Sequence, residues 1–395
     1  MFWLTLGMLA AGLLLVTGYL LLLTVAAVLA PRRGRTWSTA QRRFAILIPA
    51  HDEEALIGRL LHSVQQLGYP SELFDVHVVA DNCSDRTART AREFAGVAVH
   101  ERFDAELMAK GFALRWLLRR LDRLDLSSTY DAFVVLDADS VVAPNLLDCL
   151  DAHLGAGSQV IQVFYSVLNA GQSPIAGLRY AALAALHYLR PLGRAALGLS
   201  CGLKGNGMCF AAPVLERFAW QWFSLAEDVE FHLALVSEGT RVDFAPETWV
   251  MADMPVTLAQ ARSQNQRWER GRVLLLRSRV LRLVLDGLRR RSALRLDAAL
   301  EHALPPLSVP FAVGSACLAG ALVTNHASLA ALAAAGLLGQ LAYLLAGLLL
   351  VRAPLRLYLA LAYAPVYVVW KLWLYVGALA RPGGAAWVRT ARVAR

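Results

Sequence analysis

The sequence predicts an α/β domain with a mainly parallel sheet, set between apolar helices long enough to cross a membrane. Three observations predict it. Apolar residues (AVILMFWYC) make up 57% of the 395 positions and charged residues only 17%, against about 45–50% and about 25% in soluble domains. The excess lies at the two ends, while residues of about 40–295 have ordinary composition and hold most of the acids. Within that middle, short apolar runs alternate with stretches of helical spacing, the pattern of strands joined by crossover helices.

The first element is Phe2 to Ala30, which contains no charged residue and exceeds the roughly 20 helical residues that cross a bilayer core. It is about twice the length of a signal-peptide core and no positive charge precedes it, so residues 1–31 read as an uncleaved anchor. Arg32, Arg33, Arg35, Arg42 and Arg43 follow and place the central domain on the cytosolic side. Residues 300–380 form the other apolar region, with runs of about 303–323, 327–351 and 354–379. Thr324-Asn325-His326 suits an outside loop, and Arg352 and Arg356 suit an inside one. Lys371 interrupts the last run, so that run either spans or lies at the interface with the lysine snorkelling. Three or four spans follow, then a basic tail at 381–395.

In the middle, Phe44 to Pro49, Val76 to Ala80, Val97 to His100 and Ala132 to Leu136 read as strands. Glu53 to Leu67, Thr87 to Phe94 and Lys110 to Leu121 read as helices. In such sheets ligands bind beyond the carboxyl ends of the strands, and three exits are acidic: His51-Asp52-Glu53-Glu54, Asp81-Asn82-Cys83-Ser84-Asp85 and Asp137-Ala138-Asp139. The first turn has no G-x-G-x-x-G and the chain no G-x-x-x-x-G-K-[ST], which excludes the usual dinucleotide and P-loop signatures. Two aspartates two apart at a strand end suit a hard divalent cation that bridges phosphates. They also suit a solvated turn. Glu227-Asp228 opens a helix, where acids are also favoured simply by the helix dipole. Gln264 to Trp268 lies on a basic amphipathic stretch that equally suits a membrane-surface helix.

The net charge is +9, from 39 basic and 30 acidic residues. The arginines cluster beside apolar segments, which points to anionic lipid and not to nucleic acid. Five cysteines without C-x-x-C spacing suit a reducing compartment and argue against disulfides or zinc. His153, His187 and His232 show no partners at ligand spacing and read as structural.

The motifs occur together and in order: Ile48-Pro49-Ala50-His51-Asp52-Glu53-Glu54, Val79-Ala80-Asp81-Asn82-Cys83-Ser84-Asp85, Asp137-Ala138-Asp139, Glu227-Asp228 and Q-x-x-R-W at 264–268. The combination resembles the membrane-bound glycosyltransferases of family 2, the group of cellulose, chitin and hyaluronan synthases and their shorter bacterial relatives, over roughly 42–275. The resemblance implies a GT-A, Rossmann-like fold at 40–295, with interfacial helices, that binds a nucleoside-diphosphate sugar. Pro49, Ala50 and Glu53 would line the nucleotide site, Asp81 would meet the uracil, and Lys110 would stand near the diphosphate. Asp139, with Asp137, would hold Mg2+ or Mn2+. Asp228 would be the general base beside Glu227. Gln264, Arg267 and Trp268 would close over donor and acceptor, with 205–210 on the acceptor side.

The implied reaction moves a hexose or N-acetylhexosamine from a UDP-sugar to a lipid-linked or glycan acceptor, with inversion, at the cytoplasmic face of the cell membrane. Few spans and Ala/Leu-rich helices argue against a channel for a growing polymer, whereas Q-x-x-R-W favours a processive synthase. A transporter subunit would need ionisable residues inside its spans, and Lys371 alone answers to that.

Overall fold

The computed structural model describes residues 2–30, 41–224 and 226–380. The anchor-flanking arginines at 32, 33 and 35 and the basic tail 381–395 lie outside the described residues. The chain divides into two compact units. One holds 41–168 and 200–253. The other holds 2–30, 169–199 and 254–380. The sequence alone grouped 169–199 and 254–295 with the domain; the contacts group them with the apolar helices.

The first unit is built on one eight-stranded sheet. Its strands are β1 (Phe44–Ala50), β2 (Phe74–Asp81), β3 (Val97–Arg102), β4 (Ala132–Val135), β5 (Ser140–Val142), β6 (Val160–Val167), β7 (Met208–Ala211) and β8 (Val242–Ala252), in the order β3-β2-β1-β4-β7-β6-β8-β5. β3, β2, β1 and β4 are parallel neighbours, as the strand–helix alternation predicts. Beyond β4 the sheet is mixed: β7 runs antiparallel to β4 and β6, and β5 antiparallel to β8. The predicted pattern stops at β4 because the later strands carry polar residues (Gln162, Ser166, Glu247) and interrupt the apolar signature.

β1 shows why both sheet faces are covered. Phe44, Ile46 and Ile48 join one apolar core with Ile57, Leu60, Leu61 and Val64 of the helix Ile57–Gln65. Ala45 and Leu47, pointing the other way, join a second core with Ala113, Leu114, Leu117 and Leu121 of the helix Lys110–Arg123. Successive strand residues alternate faces, and a sheet covered on both sides reads as a continuous apolar run.

Among the described residues the second unit contains three helices long and apolar enough to cross a membrane: Thr5–Leu29, Ala327–Leu350 and Leu355–Gly377, the last broken by a 3-10 turn at Ala360–Tyr363. A bent pair, Ala293–Ala303 and Ser308–Val323, meets at 68° and counts as a fourth if taken as one span. Arg194 shows how this unit pairs a buried charge. Arg194 is fully buried; its guanidinium meets Asp297 at 2.9 Å and Glu301 at 2.7 Å and donates to the Tyr19 hydroxyl at 2.7 Å.

Lys371 does not reach outward as a snorkelling side chain would. It is buried, 2.8 Å from Glu269 Oε1, and donates to Asn265 Oδ1 at 2.5 Å. A lone ammonium in an apolar run is costly, and Glu269 on the helix Leu258–Leu275 supplies the countercharge.

Candidate active site

The site forms where β1, β2 and β4 end. At the β1 exit Asp52 takes a left-handed conformation, φ 51°, which turns its carboxylate onto the β2 exit. Asp52 Oδ1 accepts the Ser84 amide at 2.7 Å and the Asp85 amide at 3.2 Å. Partial burial opposes the charge, but these hydrogen bonds hold the carboxyl below its ordinary range. The Glu53 amide donates to the Thr87 hydroxyl at 2.7 Å, and the Glu54 amide to Asp85 Oδ2 at 3.1 Å. Several of the exit acids therefore knit two loops together, and need no ligand to explain them.

Pro49, Ala50, His51 and Asp81 share one pocket with Met108, Ala109, Lys110 and Ala113. Four of the residues expected at the donor site meet here. Asp81 is buried and paired with the Arg102 guanidinium, which also contacts Asp104 at 3.0 Å. Burial raises the Asp81 carboxyl above its usual range, and Arg102 only partly offsets this. His51 Nδ1 lies 2.7 Å from the Asp81 carbonyl oxygen.

Lys110 is the hub. It begins the helix Lys110–Arg123, and its ammonium lies 2.5 Å from Asp137 Oδ1 and also donates to the Gly205 carbonyl. Burial works against the cation, yet the carboxylates of Asp137, Glu227 and Asp228 outweigh it and hold the pKa above its ordinary value. Glu227 and Asp228 open the helix Glu227–Ser237. Burial, then the Asp228 charge, push the Glu227 carboxyl up to about 7, with Lys110 opposing. Asp228 is also raised by burial, against the Val229 amide and the Lys110 and Lys204 charges.

Two close approaches bring these carboxylates to Lys110. Gly111 packs against the loop before Glu227 so tightly that a Cβ there would stand 2.1 Å from the Trp222 carbonyl oxygen. Phe112 and Phe223 stack beside it at 4.3 Å, with Arg115 over the Phe223 ring. The loop 204–207 closes the other side. Gly205 (φ 79°) lies against Asp228, and Gly207 (φ 66°) faces Val163, where a Cβ would approach to 2.4 Å.

The Asp137 amide donates to Asn206 Oδ1 at 3.1 Å, and Asn206 Nδ2 to the Ser140 hydroxyl at 2.7 Å. Gln162, fully buried in β6, donates to the Asn206 carbonyl at 2.8 Å and accepts the Lys204 amide at 2.8 Å. The Asp139 carbonyl accepts from Arg59 at 3.1 Å, and Arg59 pairs with Asp253 at 2.8 Å.

Sequence reasoning missed Gln162, Ser140, Arg102 and Arg59 as supports. The one available signal was Gln162, a polar side chain within an apolar strand. Gln264, Arg267 and Trp268 belong to the other unit. There Gln264 is buried, and the Trp268 ring lies under the Arg179 guanidinium at 4.8 Å, which also donates to Asn265 at 3.0 Å.

Asp137 and Asp139 fit a divalent cation by the chemistry of their donors. The carboxylates of Asp137, Glu227 and Asp228 gather around Lys110; their crowding adds to burial in raising Glu227, and carboxylate oxygens of this kind are the hard donors such a cation takes.

A family model described as glycosyltransferase-like family 2 matches residues 41–271. A probable glycosyltransferase, YdaM, of Bacillus subtilis is 26% identical over 239 residues, covering 58% of this chain and 55% of the relative. A beta-monoglucosyldiacylglycerol synthase of Trichormus variabilis is 24% identical over 233 residues, covering 58% and 48%. The chain thus spans about half the length of these curated relatives. Among solved structures, the mannosyltransferase PcManGT of Pyrobaculum calidifontis, in complex with GDP-Man and Mn2+, superposes with a TM-score of 0.54 at 18% identity, covering 87% of this chain and 98% of that one. At that identity the likeness speaks for the fold.

Proposed function

The chain belongs to glycosyltransferase family 2, and on that premise we propose that it is an inverting, membrane-associated transferase. It moves a hexose or N-acetylhexosamine from a UDP-sugar to a hydroxyl of a lipid-linked or glycan acceptor. The observation that carries the reading is the convergence of Lys110, Asp137 and the Glu227–Asp228 pair beside the Pro49–Ala50–Asp81 pocket.

The uridine occupies the pocket of Pro49, Ala50 and Asp81, with Glu53 beside it. Lys110 faces the diphosphate. Asp139 and Asp137 would hold Mg2+ or Mn2+, which would supply positive charge to neutralise the departing diphosphate. Asp228 takes the proton of the acceptor hydroxyl. The acceptor oxygen bonds to the anomeric carbon as the bond to the diphosphate oxygen breaks, and the single displacement inverts that centre. A carboxylate whose pKa is lifted toward neutrality is matched to this task, and the burial of Glu227 and Asp228 supplies that lift. On the motif alone, Gln264, Arg267 and Trp268 take the donor-closing role.

The name of one relative, a beta-monoglucosyldiacylglycerol synthase, supports a membrane acceptor, the three apolar helices among the described residues support a multi-pass protein, and the arginines after the first apolar run support a cytosolic sheet domain. Q-x-x-R-W favours the second reading, a processive polysaccharide synthase.

The test is UDP release from purified protein over a panel of UDP-sugars and lipid or glycan acceptors, with mass analysis of products. A defined mono- or diglycosylated product is expected. A ladder of sizes would favour the processive reading. No release with any UDP-sugar, but release from a GDP-sugar, would overturn the donor assignment.

A further inference from the structure

Away from the active site, Cys149, His153 and Glu247 bring one sulfur, one imidazole nitrogen and one carboxylate oxygen together. These ligand atoms all lie within 4.8 Å of one another. Cys149 and His153 stand four apart on the helix Leu146–Gly155, so both side chains leave the same face. Both are buried. Glu247 comes from β8, 98 residues from Cys149, which is why spacing along the sequence gave His153 no partner and argued against zinc.

The backbone is shaped to deliver Glu247. In the β6–β8 ladder Val163 pairs with Ala245 while Phe164 pairs with Trp249. Pro246, Glu247 and Thr248 therefore bulge out of the ladder, and bulges re-aim side chains. The bulge is latched to the very helix that carries the other two residues. Asn145, which precedes that helix, makes no cap with its side chain. It donates to the Glu247 carbonyl at 3.1 Å and accepts from the Thr248 hydroxyl at 3.1 Å.

We propose that Cys149, His153 and Glu247 form a binding site for a thiophilic divalent cation, zinc in kind, distinct from the hard-oxygen site at Asp137 and Asp139. Tetrahedral zinc, with bonds of about 2.0–2.3 Å, sets its ligand atoms about 3.3–3.5 Å apart. Here His153 Nε2 lies 3.2 Å and Cys149 Sγ 3.8 Å from Glu247 Oε2, two edges close to that spacing, and the sulfur and the ring nitrogen lie within 4.8 Å of each other. A sulfur–nitrogen–oxygen set selects zinc-like ions over Mg2+. Three protein donors leave a fourth position for water, and Glu247, at the surface, marks the way in. Occupancy would pin the β8 bulge, and the end of β8 pairs with β5, the strand that directly follows Asp139.

The experiment uses the full-length protein in detergent, stripped with chelator and held in excess Mg2+, with Co2+ as probe. One equivalent of Co2+ is expected to give a thiolate charge-transfer band and the strong visible bands of four-coordinate cobalt, both erased by Zn2+. Cys149→Ser should abolish the charge-transfer band. Glu247→Gln, at a surface position that keeps its volume, should weaken Co2+ binding at least tenfold. Asn145→Ala, which touches no ligand atom and releases the bulge at the Glu247 carbonyl and the Thr248 hydroxyl, should weaken it about 10–100-fold. A wild-type protein without the thiolate band, or a band that survives Cys149→Ser, overturns the proposal and leaves the trio a hydrogen-bonded latch. If Cys149→Ser does not fold, unchanged Co2+ affinity in Glu247→Gln overturns it equally.

Discussion

Gly111→Ala perturbs the contact that brings the paired carboxylates to Lys110. The added Cβ would stand 2.1 Å from the Trp222 carbonyl oxygen, 3.1 Å from its carbonyl carbon and 3.3 Å from Phe223 Cα. All three are backbone atoms, so no flexible side chain can turn aside. Ordinary contact begins at 3.4 Å. Trp222 and Phe223 must therefore retreat from the helix Lys110–Arg123 by about 1.3 Å in a close-packed interior. Overpacking of this kind costs about 1–3 kcal/mol of stability.

The larger effect is on rate, because Glu227 and Asp228 follow Trp222 and Phe223 closely in the chain. Displacement of a catalytic group by about 1 Å costs up to about 10²-fold. The assay is kcat for UDP release together with thermal unfolding. A kcat reduced by about two orders of magnitude, with a modest fall in Tm, is the expected result. Gly58→Ala is the control: its Cβ meets the Phe94 ring at 3.6 Å and Thr90 Cγ2 at 4.0 Å, ordinary contacts, and it sits in a helix. It should be neutral or stabilise by about 0.4–1 kcal/mol. A folded Gly111→Ala protein with kcat within twofold of wild type would refute the idea that this contact positions the base.

The other predictions concern charge. Asp228, as the proposed base, accepts a proton only when ionised; burial raises its carboxyl and that of the neighbouring Glu227, the latter to about 7, so the pair holds a proton until pH rises through that range. Activity should thus climb with pH through about 7, and Lys110→Met, which removes the opposing cation, should move that limb upward; an unmoved limb in an active variant would separate Lys110 from the pair. Asp139→Ala should abolish metal-dependent UDP binding, read by calorimetry with and without Mn2+, and unchanged affinity in Mn2+ would refute the ligand role. Lys371→Met leaves the buried Glu269 with only the more distant Arg272 guanidinium, at 3.9 Å, and should cost up to about 3–5 kcal/mol. The double variant with Glu269→Gln should recover most of that loss, and equal Tm values for single and double variants would mean the pair is not coupled.

The parallel half of the sheet was legible because its strands are buried on both faces and read as apolar runs such as Phe44 to Ile48. The mixed half was not. Gln162 and Ser166 sit inside β6, and the β8 bulge breaks that strand at Pro246. These polar residues serve neighbours that only the fold supplies: Gln162 holds the loop 204–207, and Glu247 meets His153. The candidate site was legible as residue types at strand ends, since acids after apolar strands stand out locally. Their partners were not: Asp81 meets Arg102, Asp52 caps Ser84, and Lys110 bridges Asp137 to Gly205.

The sequence by itself determined the element pattern, the apolar ends and the acidic strand exits, because each depends on spacing within a few residues. The tertiary structure decided which charge meets which. Lys371 is paired and not snorkelling, the Glu227–Asp228 pair is lifted toward neutrality by burial, and Cys149, His153 and Glu247 converge across 98 residues. Desolvation and pairing energies depend on distance in space, and packing sets that distance between parts of the chain that local spacing does not relate.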